Sequence, residues 1–118
     1  MSIPTLKVIS EYFESGRVKV EYSISEGKLE GVRRQWHEEG HIMSEVEFHS
    51  GVRNGVLREW NKRGQLILSA SVRDGEFDGD YKSWWDSGGV KEVGVYTKGE
   101  RQPGYRWYRA DGSLWSES

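Results

Sequence analysis

GVRRQWHEEGHIMSEVEFHSGVRNG, from Gly31 to Gly55, holds the pattern on which the chain is built. A glycine opens it, a short run ends in Trp36, three polar residues lead to Gly40, and an apolar/polar alternation runs to G-x-x-x-G. Moved forward by 24 residues, the pattern recurs as GVLREWNKRGQLILSASVRDGEFDG, Gly55 to Gly79. The columns extend beyond both copies. Tyr12, Trp36, Trp60, Trp84 and Tyr108 form the aromatic column, and Gly16, Gly40, Gly64, Gly88 and Gly112 a glycine column. Gly27, Gly51, Gly75 and Gly99 form another, and Gly31, Gly55 and Gly79 a last one in which Pro103 takes the fourth place. A fixed period of this length marks a repeat architecture with one supersecondary unit per period.

Within each period the alternation is that of a half-buried strand. Ile42, Ser44, Val46 and Phe48 alternate with His41, Met43, Glu45, Glu47 and His49, and the same holds for Val18 to Ile24, Leu66 to Val72 and Val90 to Tyr96. Apolar residues two apart specify strands rather than helices. The segment before each turn supplies the partner strand. A three-residue loop, Glu38-Glu39-Gly40, sets Trp36 opposite Ile42, Arg34 opposite Ser44 and Val32 opposite Val46, which gathers the large apolar side chains on one face. The expected fold is all-β, an antiparallel meander of stacked 24-residue hairpins with about nine or ten strands in one elongated, twisted sheet. The whole chain, 1–118, reads as one domain: a partial repeat 1–31, full repeats 32–55, 56–79 and 80–103, and a truncated capping repeat 104–118.

Composition agrees with a thin fold. Of 118 residues 35% are hydrophobic and 31% charged, too few apolar side chains for a thick core. Six Trp, six Tyr and three Phe nevertheless set the chain apart from disordered sequences. Curling of the sheet, dimerisation or a partner would each cover an apolar face. There is no cysteine, hence no disulfide framework and no thiolate chemistry. The start, MSIPTLKVIS, is too short and polar for a signal-peptide core, and no apolar run spans a membrane, so a cytoplasmic location is expected. A net charge of −2 argues against a nucleic-acid binder. Residues 1–50 carry nine acids against six bases.

The pattern resembles the MORN repeat, and most closely the MORN-variant form of bacterial antitoxin and immunity proteins of the YwqK type. The likeness runs from about Val8 to Leu114, with departures at Gly94 and Pro103. It implies a protein-binding module that neutralises a cognate toxin, with a lipid-headgroup or membrane-surface module as the alternative. The net charge of −2 disfavours the latter.

Three groups of residues are candidate sites. Arg34, Arg58, Lys82 and Arg106 sit two before each aromatic, either as a cation ladder for a polyanion or as guanidinium and ammonium groups stacked on indoles. Glu38, Glu39, Glu45 and Glu47, with Glu21, form an acidic set, either a solvated face or a match for the basic cleft of a nuclease toxin. Such acids on adjacent strands repel unless Arg17, Lys19 or Arg53 pairs with them. Tyr81, Trp85, Tyr105 and Trp107 occupy columns whose earlier members are Arg33, His37, Leu57, Gln35 and Glu59. They are either exposed interface anchors or a cap buried where the sheet ends. No cofactor is expected. His37, His41 and His49 do not complete a metal-ligand pattern, and no nucleophile, base and orienting group recur at usable spacing, so the chain is expected not to be an enzyme.

Overall fold

The computed structural model describes residues 5–118; the first four positions of the partial repeat 1–31, and with them part of the MSIPTLKVIS start, lie outside them. The strands are β1 (Lys7–Tyr12), β2 (Val18–Ser25), β3 (Lys28–Leu29), β4 (Gly31–Trp36), β5 (Ile42–His49) and β6 (Val52–Trp60). They continue as β7 (Leu66–Arg73), β8 (Glu76–Trp84), β9 (Val90–Thr97), β10 (Glu100–Arg101), β11 (Arg106–Tyr108) and β12 (Leu114–Glu117). All belong to one sheet in meander order, β1-β2-β4-β5-β6-β7-β8-β9-β11-β12. Two-residue stubs branch from it, β3 on β2 and β10 on β9, and these the sequence pattern does not announce. Among the described residues no helix is long and apolar enough to cross a membrane.

The chain reverses by two alternating devices. At the aromatic end of each unit, five loops share one hydrogen-bond pattern. His37 N donates to His41 O (2.8 Å) and Gly40 N to His37 O (2.9 Å), with equivalents at Phe13, Asn61, Trp85 and Arg109. At the opposite end, Glu26-Gly27, Ser50-Gly51, Asp74-Gly75 and Lys98-Gly99 each place both residues at positive φ, between 48° and 86°. That is the type I′ geometry whose twist matches a hairpin, and it explains why the second residue of each pair is glycine. Three of these glycines also staple neighbouring units, Gly51 N donating to Leu29 O, Gly75 N to Arg53 O and Gly99 N to Phe77 O. Where Pro103 fills the last glycine column, Gly104 takes up the positive φ (93°) one residue later.

The expected hairpin register fails in one respect that changes the reading of both faces. Trp36 does lie opposite Ile42, but a β-bulge follows, so Gln35 pairs with Ser44, Arg34 with Glu45 and Val32 with Glu47. The same irregularity recurs beside Tyr12, Trp60, Trp84 and Tyr108. One extra residue shifts the pairing by one and moves a side-chain set to the other face. Arg34 and Val32 therefore leave the face of Ser44, Val46 and Phe48, and Trp36, two residues beyond Arg34, shares their side.

Two distinct faces result. On the first, Arg33, Val46, Leu57, Ala70, Tyr81 and Gly94 stand in one cross-strand row. Next to it run Val20, Gln35, Ser44, Glu59, Leu68, Ser83, Glu92 and Trp107. The buried side chains, Val20, Leu57, Ala70, Val72, Ser83 and Tyr105, all belong to this core face. The other face carries the aromatic file Trp36, Trp60, Trp84 and Tyr108, all half-buried. With Cα extents of 52 × 39 × 13 Å the molecule is one layer thick. Its radius of gyration, 16.9 Å, exceeds the roughly 13.5 Å of a compact chain this long. The core is made by twist and by side chains of one face covering one another, not by a second layer.

Candidate interaction surface

On the tryptophan face one row crosses the sheet without a break: Ser10, Glu21, Arg34, Glu45, Arg58, Ser69, Lys82, Val93, Arg106 and Glu117. The acids Glu21 and Glu45 are separated by Arg34, and Arg58 follows, so charges alternate along the first half. The repulsion expected among these acids is thereby relieved by Arg34 and Arg58 rather than by Arg17, Lys19 or Arg53. Opposite charges directly across a strand pair are mutually favourable. Arg34 Nε donates to Glu45 Oε2 at 2.9 Å, with side chains 41% and 23% exposed.

The cation column divides along the sheet. Arg34 pairs with Glu45, and Arg106 Nε lies 3.3 Å from Glu117 Oε1. Stacking on an indole is seen at Lys82, whose Nζ lies 5.2 Å from the Trp84 ring centroid. Between Arg58 and Arg106 the row holds Ser69, Lys82 and Val93, without an acid. The face thus grades from alternating charge to cationic and aromatic.

The other acids of the set are dispersed. Glu38 and Glu39 are exposed in the loop after β4, and the Glu38 carbonyl accepts a 3.4 Å hydrogen bond from Arg17 Nη1. Glu47 stands opposite Val32 on the tryptophan face. Near the far turn, Glu30 accepts from Ser50 N and lies 3.0 Å from His49 Nδ1, and these contacts hold its carboxyl below the usual range.

Of the four C-terminal aromatics Tyr105 is buried, while Tyr81, Trp85 and Trp107 are half-buried, as the tryptophan file is. Tyr105, 1% exposed, is the most buried large side chain, which for this residue is the cap alternative and not the exposed anchor. Its ring lies 4.7 Å from Trp107, 5.7 Å from Tyr96 and 6.2 Å from Tyr81, and Phe77 joins Tyr81 at 5.4 Å. A Cβ at position 94 would run into the Tyr105 ring, so the glycine that interrupts the strand pattern is the seat of this ring. Burial, with the nearby Tyr96 and Glu92, pushes the Tyr105 hydroxyl far above its ordinary pKa. Burial raises Tyr81 as well, helped by Glu92. The Arg101 guanidinium covers both Tyr105 and Trp107, at 5.7 and 5.1 Å. Trp85 lies in a loop, its Nε1 donating to Tyr108 O at 3.2 Å and its ring under Lys91 Nζ at 4.8 Å. Tyr81, Tyr105 and Trp107 are therefore on the core face, whereas Glu45 and Glu47 are on the tryptophan face. The two groups point to opposite sides of the sheet.

Sequence reasoning missed the exposure of the tryptophan file because the bulge was not foreseen. It also missed Trp115, 63% exposed, which with Trp107 and Ser116 lines a shallow pocket of about 370 Å³. The readable signal was its column, Met43, Ile67, Lys91 and Trp115. Among the described residues no group of three or more His, Cys, Asp or Glu is placed to hold a metal ion.

Residues 29–50 match the MORN repeat variant family. The matched segment runs from the end of β3 through β4, its loop and β5, where the Arg34–Glu45 pair and Trp36 lie. The match covers one hairpin, whose layout the other units of the sheet repeat. No curated protein and no solved structure matches the chain.

Proposed function

We propose that this chain is a non-catalytic protein-binding module, an immunity protein or antitoxin that occludes the active surface of a cognate bacterial toxin in the cytoplasm. The observation that carries the reading is the division of the sheet. Among the described residues every buried side chain lies on one face, while Trp36, Trp60, Trp84 and Tyr108 stand half-buried in file on the other, flanked by Glu21, Arg34, Glu45, Arg58 and Lys82. Half-exposed indoles on strands are efficient anchors, because little rotamer freedom is lost on binding. An ordered row of charges beside them selects a partner and speeds encounter. The anchors are thus assigned to the tryptophan file; Tyr105 serves the scaffold.

A lipid-headgroup role draws less support. Arg34 and Arg106, two of the four cations in the column, already face carboxylates. A surface for anionic lipid needs them unpaired.

Co-expression with the product of the adjacent open reading frame tests the reading. Wild type should restore growth and co-purify with that product, and Trp60→Ala/Trp84→Ala should lose both while keeping its circular dichroism spectrum. Equal capture by wild type and variant would remove the tryptophan file from the interface. Absence of rescue by wild type would sink the antitoxin reading.

A further inference from the structure

Among the described residues the sheet is open, with β1 and β12 as its edges. Of the seven exposed large apolar side chains among the described residues, five lie at these edges: Leu6, Val8, Tyr12, Leu114 and Trp115. The edges are not unrelated. β12 occupies the place in the repeat held by β5 and β7, and β1 the place held by β6 and β8, so β1 has the pattern of the strand that would come after β12. We infer that copies of this chain join head to tail, β12 of one against β1 of the next, continuing the internal pattern across the junction.

The internal junctions prescribe the register. Ser44 faces Glu59 and Glu45 faces Arg58 between β5 and β6, and Leu68 faces Ser83 and Ser69 faces Lys82 between β7 and β8. Carried to the edges in 24-residue steps, these pairs become Ser116 opposite Glu11 and Glu117 opposite Ser10. The exposed side chains fit the same transfer. Inside the sheet, Val18 and Trp36 line one depression, and Val90 and Tyr108 line its equivalent. Their counterparts at the junction are Leu114 and the second copy's Tyr12. Met43 and Trp60 line another depression, and their counterparts are Trp115 and the second copy's Tyr12. Tyr12 and Trp115, 61% and 63% exposed, therefore lack the neighbours that every internal unit supplies. A second copy brings them.

A heterologous contact of this kind leaves a free β1 and a free β12 on a dimer, so it builds assemblies longer than a dimer. The strand pairing is short, and the association is weak and concentration-dependent. Sedimentation equilibrium of the full chain over a rising concentration series should give an average mass that passes that of a dimer without levelling. Tyr12→Lys and Trp115→Lys should each weaken association by about tenfold or more, since each removes an aromatic contact from the junction. Ser116→Lys, facing Glu11, should strengthen association and Ser116→Glu should weaken it, with circular dichroism establishing that each variant is folded. A monomer at every concentration, a mass that levels at the dimer, or the same sign of effect from both Ser116 variants would overturn the inference.

Discussion

The two faces of this sheet are made from the same strands and differ in what holds them. On the core face Leu57, Ala70, Val72 and Tyr105 are buried by one another and by the aromatic cluster at the C-terminal end. On the tryptophan face the larger rings stay half-exposed, spaced one to a unit and separated by charged side chains. The contrast teaches that ring size does not decide burial in a single layer. Adjacency does: Tyr105 is buried because Tyr81, Tyr96 and Trp107, themselves only half-buried, pack around it, whereas the file of indoles lies at intervals of a whole unit, about 10 Å.

The sharpest way to break this contrast is Tyr105→Ala. Removing a fully buried ring should cost about 3–5 kcal/mol in urea unfolding, and a cost near that of a surface change would mean the cluster is not the core. Gly94→Val forces a side chain into the space of that ring, with an expected loss of about 1–3 kcal/mol. Alkali offers a third probe. The Tyr105 hydroxyl is raised in the fold, so its contribution is intact below the unfolded tyrosine pKa of about 10 and is lost as pH rises beyond it. By pH 11 the loss should be about 1 kcal/mol, and Tyr105→Phe should flatten that slope. On the opposite face, Trp60→Ala should cost about 1 kcal/mol, because only part of the ring leaves water on folding. A cost equal to that of Tyr105→Ala would erase the distinction between faces. Smallest is Arg34→Ala, about 0.5 kcal/mol at low salt and less at high salt, since the pair with Glu45 is partly exposed.

Much of this was legible before any coordinates. The columns of glycine and aromatic residues place every hairpin and the positive-φ glycines Gly51 and Gly55, but the turn expected over 51–55 is confined to Ser50-Gly51, and Val52 to Gly55 lie in β6. The candidate site was less legible, because facing depends on the parity of pairing. A single unpaired residue in each hairpin, Met43 in the first full one, reverses that parity and leaves no mark in composition. Tyr105 illustrates the other difficulty. Its column runs Ile9, Arg33, Leu57 and Tyr81 in earlier units, mixed in polarity, so the sequence leaves exposure and burial both open, and only Gly94, a departure from the strand pattern, hints at a ring lying over it.

By itself the sequence determined the period, the antiparallel meander and the single layer, since these follow from local rules: alternation by two, and glycine where φ must be positive. Tertiary structure alone decided which face holds the core, that Glu21, Arg34, Glu45 and Arg58 stand in line, and that Tyr105 closes over Gly94. Those depend on the register between strands and on contacts between distant residues, which are set by the cooperative packing of the whole sheet and not by any one stretch.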